Sequence, residues 1–159
     1  MSTGIRSMTS RDKPEIIEIL RNTPEFNPAE VNVAEELLDS YLNDGQSSGY
    51  IVLVAQVNSS VVGYICYGPT PLTEGTWDLY WAAVAREEQG KGIGKALFIQ
   101  AETEIRNQGG RLAIIETSTK PEYEKTRQFH FSNGYRIVGR IPDFYADGDD
   151  KLIFLKYLR

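Results

Sequence analysis

The residues of this chain best suited to chemistry are Gln89, Gly90, Lys91, Gly92, Ile93, Gly94, Lys95 and Ala96, which follow a strand-like run ending at Val84. Glycines on alternate positions let backbone N–H groups turn toward one point. The helical pattern that starts there adds unpaired amides and the positive end of its dipole, so the segment reads as a cradle for an anion. A nucleotide P-loop requires Gly-x-x-x-x-Gly-Lys-Ser/Thr, but Gln89 stands in place of its first glycine and Ala96 in place of its hydroxyl. The dinucleotide fingerprint Gly-x-Gly-x-x-Gly fails as well, because Gly90, Gly92 and Gly94 are evenly spaced and no βαβ repeat surrounds them. Metal chemistry has no support, since a single histidine, His130, and a single cysteine, Cys66, make no ligand set. Cys66 falls inside the apolar pattern Val61 to Tyr67, which predicts a buried, inert thiol.

What fits is Gln-x-x-Gly-x-Gly at Gln89, Gly92 and Gly94, which resembles the acetyl-coenzyme A loop of the GNAT superfamily of N-acetyltransferases. Downstream, Tyr123 to Tyr135 is similar to the second GNAT motif, Asn-x-x-Ala-x-x-Phe-Tyr-x-x-x-Gly-Phe, with Phe129, Gly134 and Tyr135 in register. The ending from Asp143-Phe144-Tyr145 through Lys156 is similar to a branch of small prokaryotic GNAT enzymes, so the resemblance covers the chain from Thr76 on. Two positions depart from it. Tyr123 stands where the family's Asn usually is, and His130 where many members carry a tyrosine that protonates the departing thiolate.

The resemblance implies a single domain over residues 1–159. Its class is α/β (α+β), an acyl-CoA N-acyltransferase fold with a mixed, mostly antiparallel sheet of roughly six to seven strands and about four helices. It implies acetyl-CoA as co-substrate, with no metal. The implied coenzyme contacts are Ala82, Ala83, Val84, the eight cradle residues named above, Tyr123 and Thr126, and a backbone amide near Val84 is the implied donor to the thioester oxygen. The activity implied is acetyl transfer to a primary amine by direct attack through a tetrahedral intermediate. The alternative is a non-catalytic acyl-CoA sensor or interaction module of the same fold.

An alkylammonium has a pKa of about 10.4, so a base or water chain must remove a proton before attack. Asp78 matches the glutamate base of the histone-modifying GNAT enzymes, and strand alternation is expected to place it on one face with Tyr80 and Ala82. Glu116, near the end of the neighbouring strand, is the second candidate base. His130 is the candidate acid for the leaving thiolate, with Tyr123 and Tyr145 in reserve. Tyr80 and Tyr145 are expected to face the acceptor.

These residues need a scaffold, and the hydrophobic pattern supplies one. A first strand opens near Ile5. A helix carrying Ile16, Ile17 and Leu20 follows the capping run Thr9 to Asp12, and a second helix carries Val31 to Leu42. Tyr50 to Val57 and Val61 to Tyr67 form a hairpin about Asn58-Ser59-Ser60. Gly68 to Pro71 reads as a loop and Thr76 to Val84 as a strand. The cradle then opens a helix ended by Gly109-Gly110. Arg111 to Thr117 should run parallel to Thr76–Val84, because a crossover helix separates the two. Ser118-Thr119 is expected to cap a helix reaching about Ser132, and two last strands, Arg136 to Ile141 and Lys151 to Leu158, flank an acidic loop from Pro142 to Asp150. Specificity is expected from the two N-terminal helices and the loops at Gly68 to Gly75 and Asp143 to Asp150.

Composition narrows the partners. With 17 basic against 22 acidic side chains and a formal charge of −5, the chain is a poor nonspecific nucleic-acid binder; the acidic surplus is first explained by ordinary solubility, and it would also suit a cationic amine. The N-terminus Met1 to Gly4 is followed by no signal-type apolar segment, and runs such as Ile51 to Ala55 are too short to span a bilayer, so a cytoplasmic location is expected. The expected partners are acetyl-CoA and a small-molecule or protein amine, with the chain acting as a monomer or homodimer.

Overall fold

A computed structural model describes residues 3–159; Met1 and Ser2, where the reading for a leader began, lie outside the described residues. Seven strands form one sheet: β1 (Gly4–Ser7), β2 (Ile51–Val57), β3 (Ser60–Pro69), β4 (Thr76–Val84), β5 (Leu112–Ser118), β6 (Arg136–Ala146) and β7 (Asp149–Tyr157). Four α-helices accompany them: α1 (Lys13–Arg21), α2 (Pro28–Asp44), α3 (Ile93–Asn107) and α4 (Glu124–Ser132). The strand order is β1-β2-β3-β4-β5-β7-β6, with every neighbouring pair antiparallel except β4 and β5. This is the expected mixed sheet with one parallel step, placed where α3 carries the chain across. No helix among the described residues is long and apolar enough to cross a membrane.

The sheet separates two apolar layers. On one face Leu97, Phe98, Ala101 and Ile105 of α3 pack against Ile65, Trp77 and Leu79. On the other, Ile16, Leu20 and Leu38 of α1 and α2 cover Val52, Val54, Tyr64 and Cys66. Fully burying side chains of this size contributes about 1.5–3 kcal/mol each. Local chemistry fixes the helix starts. Asp12 accepts from the Thr9 amide at 2.7 Å and from Arg6 on β1 at 2.8 and 2.9 Å, which ties the first strand to the turn before α1. At α2, Asn27 and Glu30 each accept the other's amide hydrogen, and Pro28 occupies the first turn.

The structure departs from the sequence reading at three connections. Gly68 and Pro69 belong to β3 rather than to a loop. The segment from Pro142 to Asp150 is mostly strand: β6 runs to Ala146 and a tight turn at Asp147 and Gly148 leads into β7. Its acidic residues are therefore not all solvated. Asp149 and Asp150 are buried, one accepting from the Ser118 hydroxyl and the other from Arg140 and the Asp143 amide. Finally, Ser118 does not cap α4; it closes β5, and a short 3-10 turn at Pro121–Tyr123 intervenes before the helix.

Candidate active site

The parallel pair that positions the site is short. β4 and β5 are in register only at Thr76, Trp77 and Asp78 against Leu112, Ala113 and Ile114, yet β4 continues to Val84 and β5 to Ser118. Past Asp78 the two strands diverge into a fork, and the inner edges of both carry backbone groups with no strand between them. The cradle lies at the open end of β4. Gly90 and Gly92 have φ of +80° and +84°, the left-handed region, and a Cβ at either would meet nothing within 4 Å. The Gln89 side chain donates to the Val84 carbonyl at 3.1 Å, anchoring the loop to the strand end, and Lys91 pairs with Glu88 at 3.1 Å. Gly92 caps α3, so the amides of Ile93, Gly94 and Lys95 have no partner within the helix. Gly94 is needed for a different reason: a Cβ there would lie 3.2 Å from the Phe129 ring of α4. The Ile93 side chain is core, Ala96 and Thr126 are half-buried, and Lys95 is exposed. A Gly-lined, amide-rich cradle beside an unpaired strand edge fits a diphosphate joined to an extended arm.

A bulge decides what faces the fork. Cys66 pairs with Trp81 and Tyr67 with Leu79, so Tyr80 is an extra residue on β4. It reverses the alternation beyond it. Ala82 and Val84 therefore join Trp77 and Leu79 on the α3 face, while Trp81 and Ala83 turn toward α1 and α2. The expectation that Asp78, Tyr80 and Ala82 share a face is corrected accordingly: Asp78 and Tyr80 lie on the α1–α2 side and Ala82 does not. Asp78 Oδ2 accepts from the Thr70 hydroxyl at 2.7 Å and from the Tyr80 hydroxyl at 3.3 Å. Burial and then the Asp78 charge raise the Tyr80 hydroxyl above its ordinary value, and Tyr50 packs edge-on against its ring at 5.5 Å.

On the other arm, Glu116 is exposed on the same α1–α2 side, because Ala113 and Ile115 fill the α3 side. It is paired with Lys151 at 2.9 Å, and that ammonium also lies 4.1 Å from the centre of the Phe144 ring. Tyr145 stands half exposed nearby; its hydroxyl is raised first by burial and then by Glu116, Asp149 and Glu30. Tyr123 reaches across to α2 and the loop before it, its hydroxyl 3.2 Å from the Glu30 carboxylate and 3.3 Å from the Glu25 carbonyl. Arg127 of α4 donates to the carbonyls of Ser118 and Lys120 at 2.8 and 2.9 Å and holds the end of β5.

His130 is not with these groups. Its ring is enclosed by Phe98, Phe129, Tyr135 and Phe154 on the α3 side, only 5% of it is exposed, and Nδ1 has no hydrogen-bond partner. Burial pushes its pKa down to about 4, so the ring is neutral at pH 7. Cys66 is equally inert, its thiol pushed up to about 12 by burial. Sequence reasoning missed Thr70, Tyr50, Lys151 and Arg127. Their only signals were ordinary polar or aromatic positions, and their partners are 7 to 35 residues away in the chain.

The profile of the acetyltransferase (GNAT) family matches residues 14–135. The chain belongs to that family. An uncharacterised N-acetyltransferase of Methanocaldococcus jannaschii is 30% identical over 103 residues, which span 65% of this chain and 64% of that protein, a little under two thirds of its length. A crystal structure from Desulfovibrio desulfuricans assigned to the GNAT family superposes with a TM-score of 0.96 at 38% identity, covering 99% of this chain and 100% of that one. The PaiA N-acetyltransferase of Thermoplasma acidophilum, solved with coenzyme A, has the same fold at a TM-score of 0.78 and 20% identity, with 99% of each chain covered. The GNAT fold expected from the cradle and the second motif is thereby borne out.

Proposed function

We propose that the protein transfers the acetyl group of acetyl-CoA to a primary amine by direct attack. The observation that carries this reading is the fork: a cradle at the open end of β4, an unpaired strand edge leading inward from it, and the Asp78 carboxylate at the vertex. A protein of the same fold, the PaiA N-acetyltransferase of Thermoplasma acidophilum, was solved in complex with coenzyme A, which supports a coenzyme ligand for this fold. Here the amides from Gln89 to Lys95 would hold the diphosphate, and β4 amides up to Val84 would hydrogen-bond the arm and the thioester oxygen as it gains charge.

Asp78 is assigned as proton acceptor in preference to Glu116, because the Glu116 carboxylate is already occupied in an ion pair with Lys151 at 2.9 Å. No obligatory protein acid is assigned at the sulfur. Once the added nitrogen has lost its surplus proton it could depart only as a strongly basic amide anion, so the thiolate, the conjugate base of a thiol with a pKa of about 8.5, leaves when the tetrahedral intermediate collapses. Tyr145 and Phe144, at the exposed side of the second arm, are assigned to the acceptor's approach.

Thiol release from acetyl-CoA with the purified protein and a panel of amines tests the reading. Amine-dependent release above hydrolysis is expected, Asp78→Asn should lower kcat/KM by about ten- to a thousandfold, and Glu116→Gln should stay within about threefold. One observation favours the second reading, an acyl-CoA-binding module without turnover: the histidine at the family's tyrosine position is buried and neutral. Tight calorimetric binding of acetyl-CoA with no amine-dependent release would establish that reading instead.

A further inference from the structure

The fork sets an order in which an acceptor meets the residues of β4. Asp78 still pairs with Ile114, so it sits at the closed vertex, half-buried, behind the point where the strands separate. Tyr80 is the bulged residue just past that point, and 38% of it is exposed. Tyr80 is thus nearer the open end of the fork and more exposed than Asp78, with its hydroxyl bonded to the carboxylate behind it. Thr70 and Tyr80 both donate to the same oxygen, Asp78 Oδ2, which fixes the direction of the Tyr80 hydrogen and leaves the phenol's lone pairs free to accept. Gly68 of β3 lies beneath the ring. A Cβ there would lie 2.0 Å from the Gly49 carbonyl oxygen, so glycine is what lets the Gly49 backbone cross β3 this closely, and the Tyr80 ring packs over the same spot at an ordinary 3.5 Å.

We infer that Tyr80 is a catalytic proton relay, its phenol oxygen accepting a proton from the acceptor ammonium while its own proton passes to Asp78 Oδ2. The inference rests on the amine-acetylation reading above. The step balances: an alkylammonium, a phenol and a carboxylate become a neutral amine, a phenol and a carboxylic acid. The amine then forms the C–N bond and the C–S bond breaks, with the electron pair leaving on sulfur; the remaining N–H proton goes to thiolate or water, and Asp78 returns its proton to solvent. The groups around the phenol are consistent with this direction. Asp78, Tyr50 and Cys66 are the titratable neighbours, and burial with the Asp78 charge keeps the hydroxyl protonated as a donor.

The test is Tyr80→Phe, which keeps the ring and its packing on Tyr50. Rates of thiol release are measured from about pH 6 upward with acetyl-CoA and n-butylamine, Nα-acetyl-lysine amide, spermidine or a free-N-terminus tripeptide, using whichever the wild type accepts best. A relay predicts a loss in kcat/KM of about ten- to a hundredfold near pH 7, shrinking to within about threefold as the pH nears the amine's own pKa, because less deprotonation is then needed. Asp78→Asn should show the same profile, and the double variant should be no worse than the more damaged single one. A loss equal at every pH, or no loss, overturns the relay while leaving acetyl transfer standing. A wild type with no amine-dependent release overturns both.

Discussion

His130 shows how environment overrides a residue's ordinary chemistry. Among four aromatic rings its charged form is disfavoured, and its pKa of about 4 lies below the ordinary 6.5. Between those values the unfolded chain binds the extra proton, so stability is full above about pH 6.5 and falls as the pH drops toward 4, by on the order of 3 kcal/mol in total. His130→Phe should remove that part of the acid sensitivity in denaturant titrations at pH 4.5 and 7. It should also leave kcat within about threefold, whereas a ten- to thousandfold drop would make the imidazole the acid after all. The sequence placed a histidine at a motif position, but its protonation state was not legible there, because the rings that desolvate it come from α3, α4 and β7 and from the turn between α4 and β6.

The elements themselves were largely legible. Thr76–Val84 and the helix after the cradle are local patterns of period 2 and 3.6, and a parallel return after a crossover follows from chain geometry. Less legible was anything set by a partner strand. The bulge at Tyr80 depends on register with β3, and the extended part of β6 depends on Asp150, which receives the Asp143 amide and the Arg140 guanidinium from across the turn. A run of Asp and Gly reads as loop when those acceptors are unknown. At this scale, the close crossing at Gly68 is a point of no slack. Gly68→Ala should lower stability by about 1–3 kcal/mol in chemical denaturation, and because the displaced backbone carries Tyr80 with it, activity should fall further than stability alone accounts for.

Across the whole molecule, a buried ion pair fastens the ends of the chain's second half. Glu102 of α3, 3% exposed, accepts from Tyr135 at 2.8 Å and pairs with Lys156 of β7 at 2.9 Å. Lys156→Met should cost about 2–3 kcal/mol, less than a fully dry pair because the lysine is partly solvated, and adding Glu102→Met should restore much of it when both are compared by thermal melting. The divergence of β4 from β5 has a mechanical counterpart. Main-chain bonding between those two strands is confined to the vertex, and farther out Tyr123, just past β5, touches Glu25 and Glu30 and so ties that limb to the helical layer that covers the other. The limbs are thus hinged at one end and loosely latched at the other, so a guest wedged between them acts as a brace. Coenzyme A at about a hundred times its dissociation constant would add roughly 2.7 kcal/mol to global stability, and amide exchange along Leu79 to Val84 should slow more than along β2, which already has a partner on either side.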